Sequence, residues 1–429
     1  MKQKKMKNKI YRGFVIHSIE PEVIEAYIDG AIVVDGEGKI SACGEFAKMK
    51  KKFPVATVKD HRGKVIMPGL IDCHIHLPQL DQRGKHGATL LGWLDKYIFP
   101  AERAFKSDKV ARDVARRFFK KLILNGTTTS LVLSTIHAKA TNIAFGMARD
   151  SGLRVFMGKT MMDQHSPAGL LEDLHTSLNE SIALCDKWNG AENGRLKYAF
   201  TPRFAPTCSE ALWENVGRLA AEAGAFIHTH VAETHGENLR MHELFPDYND
   251  YIELFEETGC LGPKMLLTHA IYLSESEFHR IAAAHGKVIH CPSSNLFLKS
   301  GRMPVEIVEG SGITYGLGTD VGAGASMSLF TTMRHADYVQ PKVSITPRKA
   351  FYLATLGGAK VLSMGDSIGN FAVGKAADFN VVDIHGIDPR YKLSELDADE
   401  FLSLVMYRGG GRVISECYVQ GKKLDVDAL

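Results

Sequence analysis

From Tyr11 to about Lys64, apolar residues come in short runs bounded by turn signals. Gly13-Phe-Val-Ile-His, Ala31-Ile-Val-Val-Asp and Lys39-Ile-Ser-Ala-Cys are separated by sequence such as the Gly36-Glu-Gly38 turn, a pattern that predicts a small antiparallel sheet. From Val65 the rhythm changes, and strand candidates alternate with helical stretches, as in repeated βαβ units. Eight candidates follow in order: Val65–His76, Thr127–Leu133, Arg154–Met161, Lys197–Phe204, Ala225–Val231, Met265–His269, Lys287–Cys291 and Ile313–Asp320. Helical segments separate them. Glu102–Leu124 closes at Asn125-Gly126, and Ser209–Ala223 is stopped by Gly224. Eight parallel strands with crossovers predict a closed (β/α)8 TIM barrel within an α/β fold, with the active face at the C-terminal ends of the strands.

A further helix is expected from Thr346 as N-cap and Pro347 to about Met364. After Gly369 and Gly374 the tail returns to short strands, Asp378-Phe-Asn-Val-Val-Asp and Ser415-Glu-Cys-Tyr-Val-Gln-Gly. The two β-rich ends are therefore read as one small β-sandwich domain, split in sequence: residues 1–66 and 372–429 around a barrel of 67–371.

Composition changes this picture little. The chain has 429 residues, 45% hydrophobic and 24% charged, with a net charge of +3, which points to neither a nucleic-acid nor a membrane partner. The basic residues of Glu102–Leu124, among them Arg112, Arg116 and Lys120, are read as a solvated outer face for the same reason. The seven Cys include no Cys-x-x-Cys pair, which fits a reducing, cytoplasmic setting. The basic start of the chain lacks the apolar core of a signal peptide, and no run reaches the length of a membrane span.

The candidate chemistry begins at Met67–Gln79, Met-Pro-Gly-Leu-Ile-Asp-Cys-His-Ile-His-Leu-Pro-Gln, where His74 and His76 project from one face of a strand and could grip one metal ion. With 18 His in the chain, chance alone gives roughly one His-x-His pair, so this pair carries little by itself. Ligand-type residues recur, however, at other strand ends: His228-Thr-His230-Val-Ala-Glu233, Thr268-His269 and Gly318-Thr319-Asp320. A lone His at a strand end is usually a hydrogen-bonded structural residue; four such sets at one rim of a barrel are not. His230 is assigned to the metal and His228 to an inner layer. Three imidazoles and a carboxylate, with a position left for water, describe a catalytic zinc centre, which lowers the pKa of bound water from about 15.7 towards ~7. Glu233, just past the strand end, is the candidate proton-transfer base rather than a surface Glu.

Pro68-Gly-Leu-Ile-Asp-Cys-His74-Ile-His76, Thr229-His230-x-x-Glu233, Thr268-His269-Ala, His290-Cys-Pro-Ser-Ser-Asn295 and Gly316-Leu-Gly-Thr-Asp320 together resemble the amidohydrolase superfamily, in its mononuclear zinc deaminase branch. Further landmarks are similar to those of the guanine-deaminating family within it: His76-Leu-Pro-Gln79, the segment from Trp93 to Glu102, Asn125-Gly-Thr-Thr-Thr129, Thr201-Pro-Arg203-Phe204 and Gly318-Thr-Asp-Val-Gly-Ala-Gly324. The resemblance implies one Zn²⁺ per chain, held by His74, His76, His230 and Asp320, with His269 positioning the water. It implies that Gln79 and Arg203 hydrogen-bond the polar edges of a small purine, that Phe204 contacts its ring, and that His230, Glu233 and Asp320 also meet it. Catalysis would rest on Glu233, His269 and Asp320, and by analogy the protein would be a homodimer.

Three other readings compete. A binuclear cyclic-amide hydrolase would need a bridging Lys at the end of strand four, where this chain has Arg203; Lys159 ends strand three and is read as structural or pocket-lining. A related deaminase could act on an oxidised purine, a pterin, a triazine or an adenosine derivative. A scaffold paralogue would be expected to have lost ligands, and none is missing here. Arg203 could instead form an ion pair at a strand end, and His235 could face the pocket or the solvent.

Overall fold

A computed structural model describes residues 8–87 and 90–429; the basic residues at the very start of the chain, 1–7, lie outside the described residues. Strands β1 (Lys9–Glu20), β2 (Val23–Val34), β3 (Ile40–Glu45) and β4 (Thr57–Pro68) open the chain. The strands β5 (Leu70–His76), β6 (Thr127–Leu133), β7 (Arg154–Gly158), β8 (Thr160–Met161), β9 (Leu196–Pro202), β10 (Phe226–Val231), β11 (Met265–His269), β12 (Lys287–His290) and β13 (Tyr315–Leu317) come next. The chain ends with β14 (Phe379–Val382), β15 (Ile414–Val419) and β16 (Lys422–Lys423).

The terminal strands form one seven-stranded sheet in the order β16-β15-β14-β4-β1-β2-β3. The two ends do come together as expected, but the sheet expected to be antiparallel is mixed, because β1 and β4 run parallel while β14 pairs antiparallel with β4. That last pairing, Val65 opposite Val382 and Pro68 opposite Phe379, joins the two ends of the chain. The expected strand Val65–His76 is two strands. Pro68 has no N–H to continue a ladder, so the chain changes sheets at Gly69, whose N–H donates to the Asp378 carbonyl at 3.0 Å while Leu70 N–H donates to the Gly126 carbonyl at 3.0 Å.

Strands β5 to β13 form the barrel, all adjacent pairs parallel, in the order β13-β12-β11-β10-β9-β7-β6-β5 with β8 beside β9. No ladder joins β13 to β5 among the described residues. The seam is closed just beyond β13, where Asp320 N–H donates to the His74 carbonyl at 2.9 Å and His76 N–H to the Val321 carbonyl at 3.0 Å. Ile71, Leu131, Phe156, Ala199, Phe226, Leu266 and Ile289, one from each of seven barrel strands, form an apolar layer with Val361, Leu362 and Ile368. On β10 the face that begins with Phe226 continues through His228 to His230, so polar chemistry sits directly above this layer.

Helix ends follow the local signals. Ser209 caps Glu210–Ala223 by accepting from Leu212 N–H, and Gly224 ends it at φ 56°. Thr346 accepts from Lys349 N–H at the start of Pro347–Tyr352, but the predicted helix to Met364 is interrupted by a π-turn at Leu353–Gly357 before Gly358–Val361. The predicted Glu102–Leu124 helix is two, Phe99–Ala104 and Asp108–Leu124, with Ser107 at the second N-cap position. This break frees Glu102 to turn into the protein. Among the described residues no helix is long and apolar enough to cross a membrane.

The barrel and the small sheet are locked by a buried ion pair. Arg154 on β7 donates from Nε and Nη2 to Asp378 Oδ2 at 3.2 and 3.1 Å, with both side chains under 5% exposed. Breaking a buried pair leaves a lone charge in the interior, so Asp378→Ala should cost about 3–5 kcal/mol. Arg12→Ala, which removes the pair with the half-exposed Asp29, should cost under ~1 kcal/mol. Comparing the two variants' unfolding in urea checks this, and equal losses would refute it.

Candidate active site

The site lies where β5, β10, β11 and β13 end. Asp320 takes φ 48°, His269 φ 76° and Ala232 φ 48°, all in the left-handed region, so the chain turns abruptly as it leaves three of these strands. Such conformations cost on the order of 1–3 kcal/mol each and persist only where surroundings enforce them. At β13 the enforcement is visible. Asp72 Oδ1 accepts from Thr319 N–H at 3.0 Å and Oδ2 from Thr319 Oγ1 at 2.6 Å, strapping the β13 exit to β5. A Cβ on Gly318 would lie 2.8 Å from His74 Cβ and 2.9 Å from Cys291 Sγ, so only glycine permits this approach.

Four predicted ligands converge. His76 Nε2 lies 3.1 Å from His74 Nε2 and 3.2 Å from His230 Nε2, and Asp320 Oδ1 lies 3.2 Å from both His74 Nε2 and His76 Nε2. A tetrahedral ion with bonds of ~2.0 Å places its donors about 3.3 Å apart, so the separations fit one shared cation. The electrostatics agree. Burial pushes the His74 imidazole down to about 4 and holds His230 well below the usual range, leaving lone pairs available. Burial acts to raise Asp320, but His74 and His76 beside it outweigh that and hold it well below an ordinary carboxylate.

Hydrogen bonds behind the imidazoles fix their tautomers. His230 Nδ1 sits 2.8 Å from the Arg203 carbonyl, which only accepts, so Nδ1 carries the proton and Nε2 is free. His74 Nδ1 is 2.8 Å from His228 Nε2 and 3.1 Å from Thr268 Oγ1. With the His74 Nε2 lone pair facing the cluster, Nδ1–H donates to His228 Nε2. The His228 proton then lies on Nδ1, which is buried without a partner. His228 is thus the inner-layer residue expected from its position.

The remaining predicted residues surround a cavity of ≈ 880 Å³ lined by His76, His230, His269 and Asp320, and also by Gln79, Arg203, Phe204 and Glu233. His269 Nε2 is 3.6 Å from Glu233 Oε2 and 3.8 Å from Asp320 Oδ2. Burial opposes a proton on His269, but these two carboxylates prevail and raise its affinity above the usual value. Arg203 combines both readings offered for it: it lines the cavity and its Nη1 pairs with buried Glu102 at 2.8 and 3.0 Å. His235 is exposed, against Tyr272 with ring centroids 3.8 Å apart. Lys159 is fully buried and pairs with Glu172 and Glu180, away from the cavity lining.

Several neighbours received no role from sequence. Asn295 Oδ1 lies 3.0 Å from His269 Nδ1, and Ser300 Oγ donates to Glu233 Oε1 at 2.8 Å. Glu237 accepts from Ala232 and Glu233 N–H at 3.0 and 2.9 Å and from Tyr251 OH at 2.6 Å, clamping the loop that carries Glu233; burial pushes its carboxyl up to about 7. Thr234-His-Gly-Glu237 has capping-box spacing, the one local signal that could have drawn attention to Glu237.

The amidohydrolase family profile matches residues 65–424. The guanine deaminase of Escherichia coli (strain K12) is 36% identical over 406 residues, covering 92% of this chain and 91% of that protein. The crystal structure of guanine deaminase from C. acetobutylicum, with guanine bound in its active site, superposes with a TM-score of 0.92 at 30% identity, covering 98% of this chain and 100% of that one. An adenosine deaminase from Xanthomonas campestris with bound zinc superposes with a TM-score of 0.85 at 25% identity, covering 98% and 93%.

Because His228 touches His74 without joining the four donors, His228→Ala should weaken metal affinity about 10- to 100-fold while leaving the donor set complete. Competition against a chromogenic chelator measures this, and unchanged affinity would remove His228 from the support of the site.

Proposed function

The chain belongs to the amidohydrolase family, and we propose that it hydrolyses guanine to xanthine and ammonia with one Zn²⁺ per chain. The observation that carries this reading is the pairing, in one site, of the His74–His76–His230 cluster and the adjoining Asp320 with Gln79, Arg203 and Phe204. Gln offers a donor and an acceptor, Arg a rigid donor fork and Phe an apolar face, a set suited to a flat, lactam-bearing base. Near-full-length similarity to guanine deaminases supports guanine over a pterin, triazine or adenosine derivative. At strand four, Arg203 disfavours the binuclear cyclic-amide hydrolase.

His74, His76, His230 and Asp320 would hold the zinc. Bound there, it supplies water whose pKa is lowered towards ~7. The protein's own groups then move protons. Glu233 takes one proton from the attacking water and passes it to a ring nitrogen beside C2, as the water oxygen bonds to C2. Asp320 takes the second water proton, which reaches the amino group as the C2–N bond breaks and ammonia leaves. One water is thereby divided between the product carbonyl, the ring N–H and ammonia. His269, between Glu233 and Asp320 and anchored by Asn295, orients the water. A cytoplasmic homodimer completes the proposal; seven unpaired cysteines fit a reducing compartment.

Positioned acid–base catalysis contributes typically 10²–10⁴-fold, so Glu233→Gln should lower kcat by about that factor with zinc content unchanged. Ammonia release from guanine, 8-oxoguanine, adenine, cytosine and pterins, with zinc measured on the same sample, tests both the residue and the substrate. Near-normal turnover in the variant would remove Glu233 from the scheme, and no release from guanine by the wild-type protein would overturn the proposal.

A further inference from the structure

Behind the cavity wall lies a carboxylate that touches neither the cavity nor the cation cluster. Glu102, from the short helix Phe99–Ala104, is 3% exposed. Its Oε1 and Oε2 accept from Arg203 Nη1 at 3.0 and 2.8 Å, and Oε1 also accepts from Gln79 Nε2 at 3.2 Å. On its other side, Gln79 Oε1 accepts from Gly322 N–H at 3.1 Å. A backbone N–H only donates and a carboxylate only accepts, so the two neighbours impose the same amide orientation. Flipping the amide would set its oxygen against Glu102 and its NH₂ against Gly322 N–H, losing both bonds.

Resting on the guanine reading above, we propose that Glu102 is a specificity-determining positioning residue. It fixes which edge of Gln79 faces the base and cancels the charge of Arg203, so that the wall recognises a neutral lactam and releases an anionic product. The charge argument is specific. Arg203 is 7% exposed, and without Glu102 its guanidinium would face the cavity uncompensated. Xanthine, with two lactam carbonyls to delocalise charge, loses a proton more readily than guanine. A bare guanidinium would therefore hold the xanthine anion while gaining nothing with neutral guanine. In the intact pair Arg203 keeps donors for a carbonyl but presents little net charge.

Wild-type protein is first assayed for ammonia release from guanine; its failure overturns the proposed function and not this inference. Glu102→Gln is then compared with it in steady-state kinetics and in calorimetric binding of xanthine, on the acid and alkaline sides of xanthine's ionisation. The KM for guanine should rise about 10- to 100-fold with kcat changed less than ~3-fold, since a fixed polar contact to the base is disordered. The xanthine Kd should fall on the alkaline side only. Glu102→Asp, which keeps the charge, should raise KM yet retain the wild-type pH dependence of xanthine binding. In Glu102→Gln with Arg203→Gln the alkaline tightening should vanish. Xanthine and guanine weakening together at both pH values would overturn the inference, as would a loss confined to kcat, or alkaline tightening that survives in the double variant. Should Glu102→Gln fail to fold, Glu102→Asp decides alone: xanthine binding that tightens on the alkaline side despite the retained carboxylate refutes the role in charge cancellation.

Discussion

Three imidazoles and a carboxylate gathered about His76, whose Nε2 lies 3.1–3.2 Å from His74, His230 and Asp320, are the buried constraint on which this structure turns. Nothing in the local propensities of β5, β10 or the β13 exit favours such a gathering, since each polar group must leave water to reach it. The surrounding protein compensates at three of the four donors. His230 gives its second nitrogen to a backbone carbonyl, His74 to His228 and Thr268, and the backbone of Asp320 to β5. The three left-handed residues at Ala232, His269 and Asp320 belong to the same arrangement. They let strands that run parallel past the centre turn side chains towards it.

The substrate side of the cavity follows a different logic. Around the donors, the supporting bonds leave lone pairs pointing inward; at Gln79 and Arg203, they leave donors and one acceptor pointing inward while cancelling charge behind the wall. One half of the pocket is thus prepared for a cation and the other for a neutral, flat, polar ligand. Glu233 and His269, proposed to move a proton and to orient the water, lie 3.6 Å apart on the same cavity wall.

Much of this was legible in the linear order, for identifiable reasons. The barrel could be read because each strand candidate was bracketed by helical periodicity, and the convergence of the proposed ligands because they stood at strand ends, where (β/α)8 enzymes place chemistry. The division of Val65–His76 at Pro68 was signalled by the proline itself but outweighed by a continuous apolar run. The break after Ala104 was masked by helix-forming residues on both sides, although Ser107 is a good N-cap residue. That error hid Glu102, which a continuous helix would have left on a basic, solvated face. Asn295, Ser300 and Asp72 were illegible in role for a more general reason. Each acts on a residue from another strand or loop, and no periodicity or spacing encodes a contact across the barrel.

The barrel's seam ties the fold to the site. A barrel of parallel strands is held by ladders between neighbours, yet β5 and β13, its first and last strands, share none among the described residues. In place of a ladder stand Asp72 gripping Thr319, the paired backbone bonds of His74 and His76 with Asp320 and Val321, and the closeness of Gly318 to His74. The residues that join the seam are therefore the proposed ligands themselves or their immediate neighbours. His74 and His76 come from one side, Asp320 from the other, and His230 from across the barrel. Closing the barrel and assembling the donor cluster are one structural event, so a change that opens the seam removes the chemistry without altering a single donor atom.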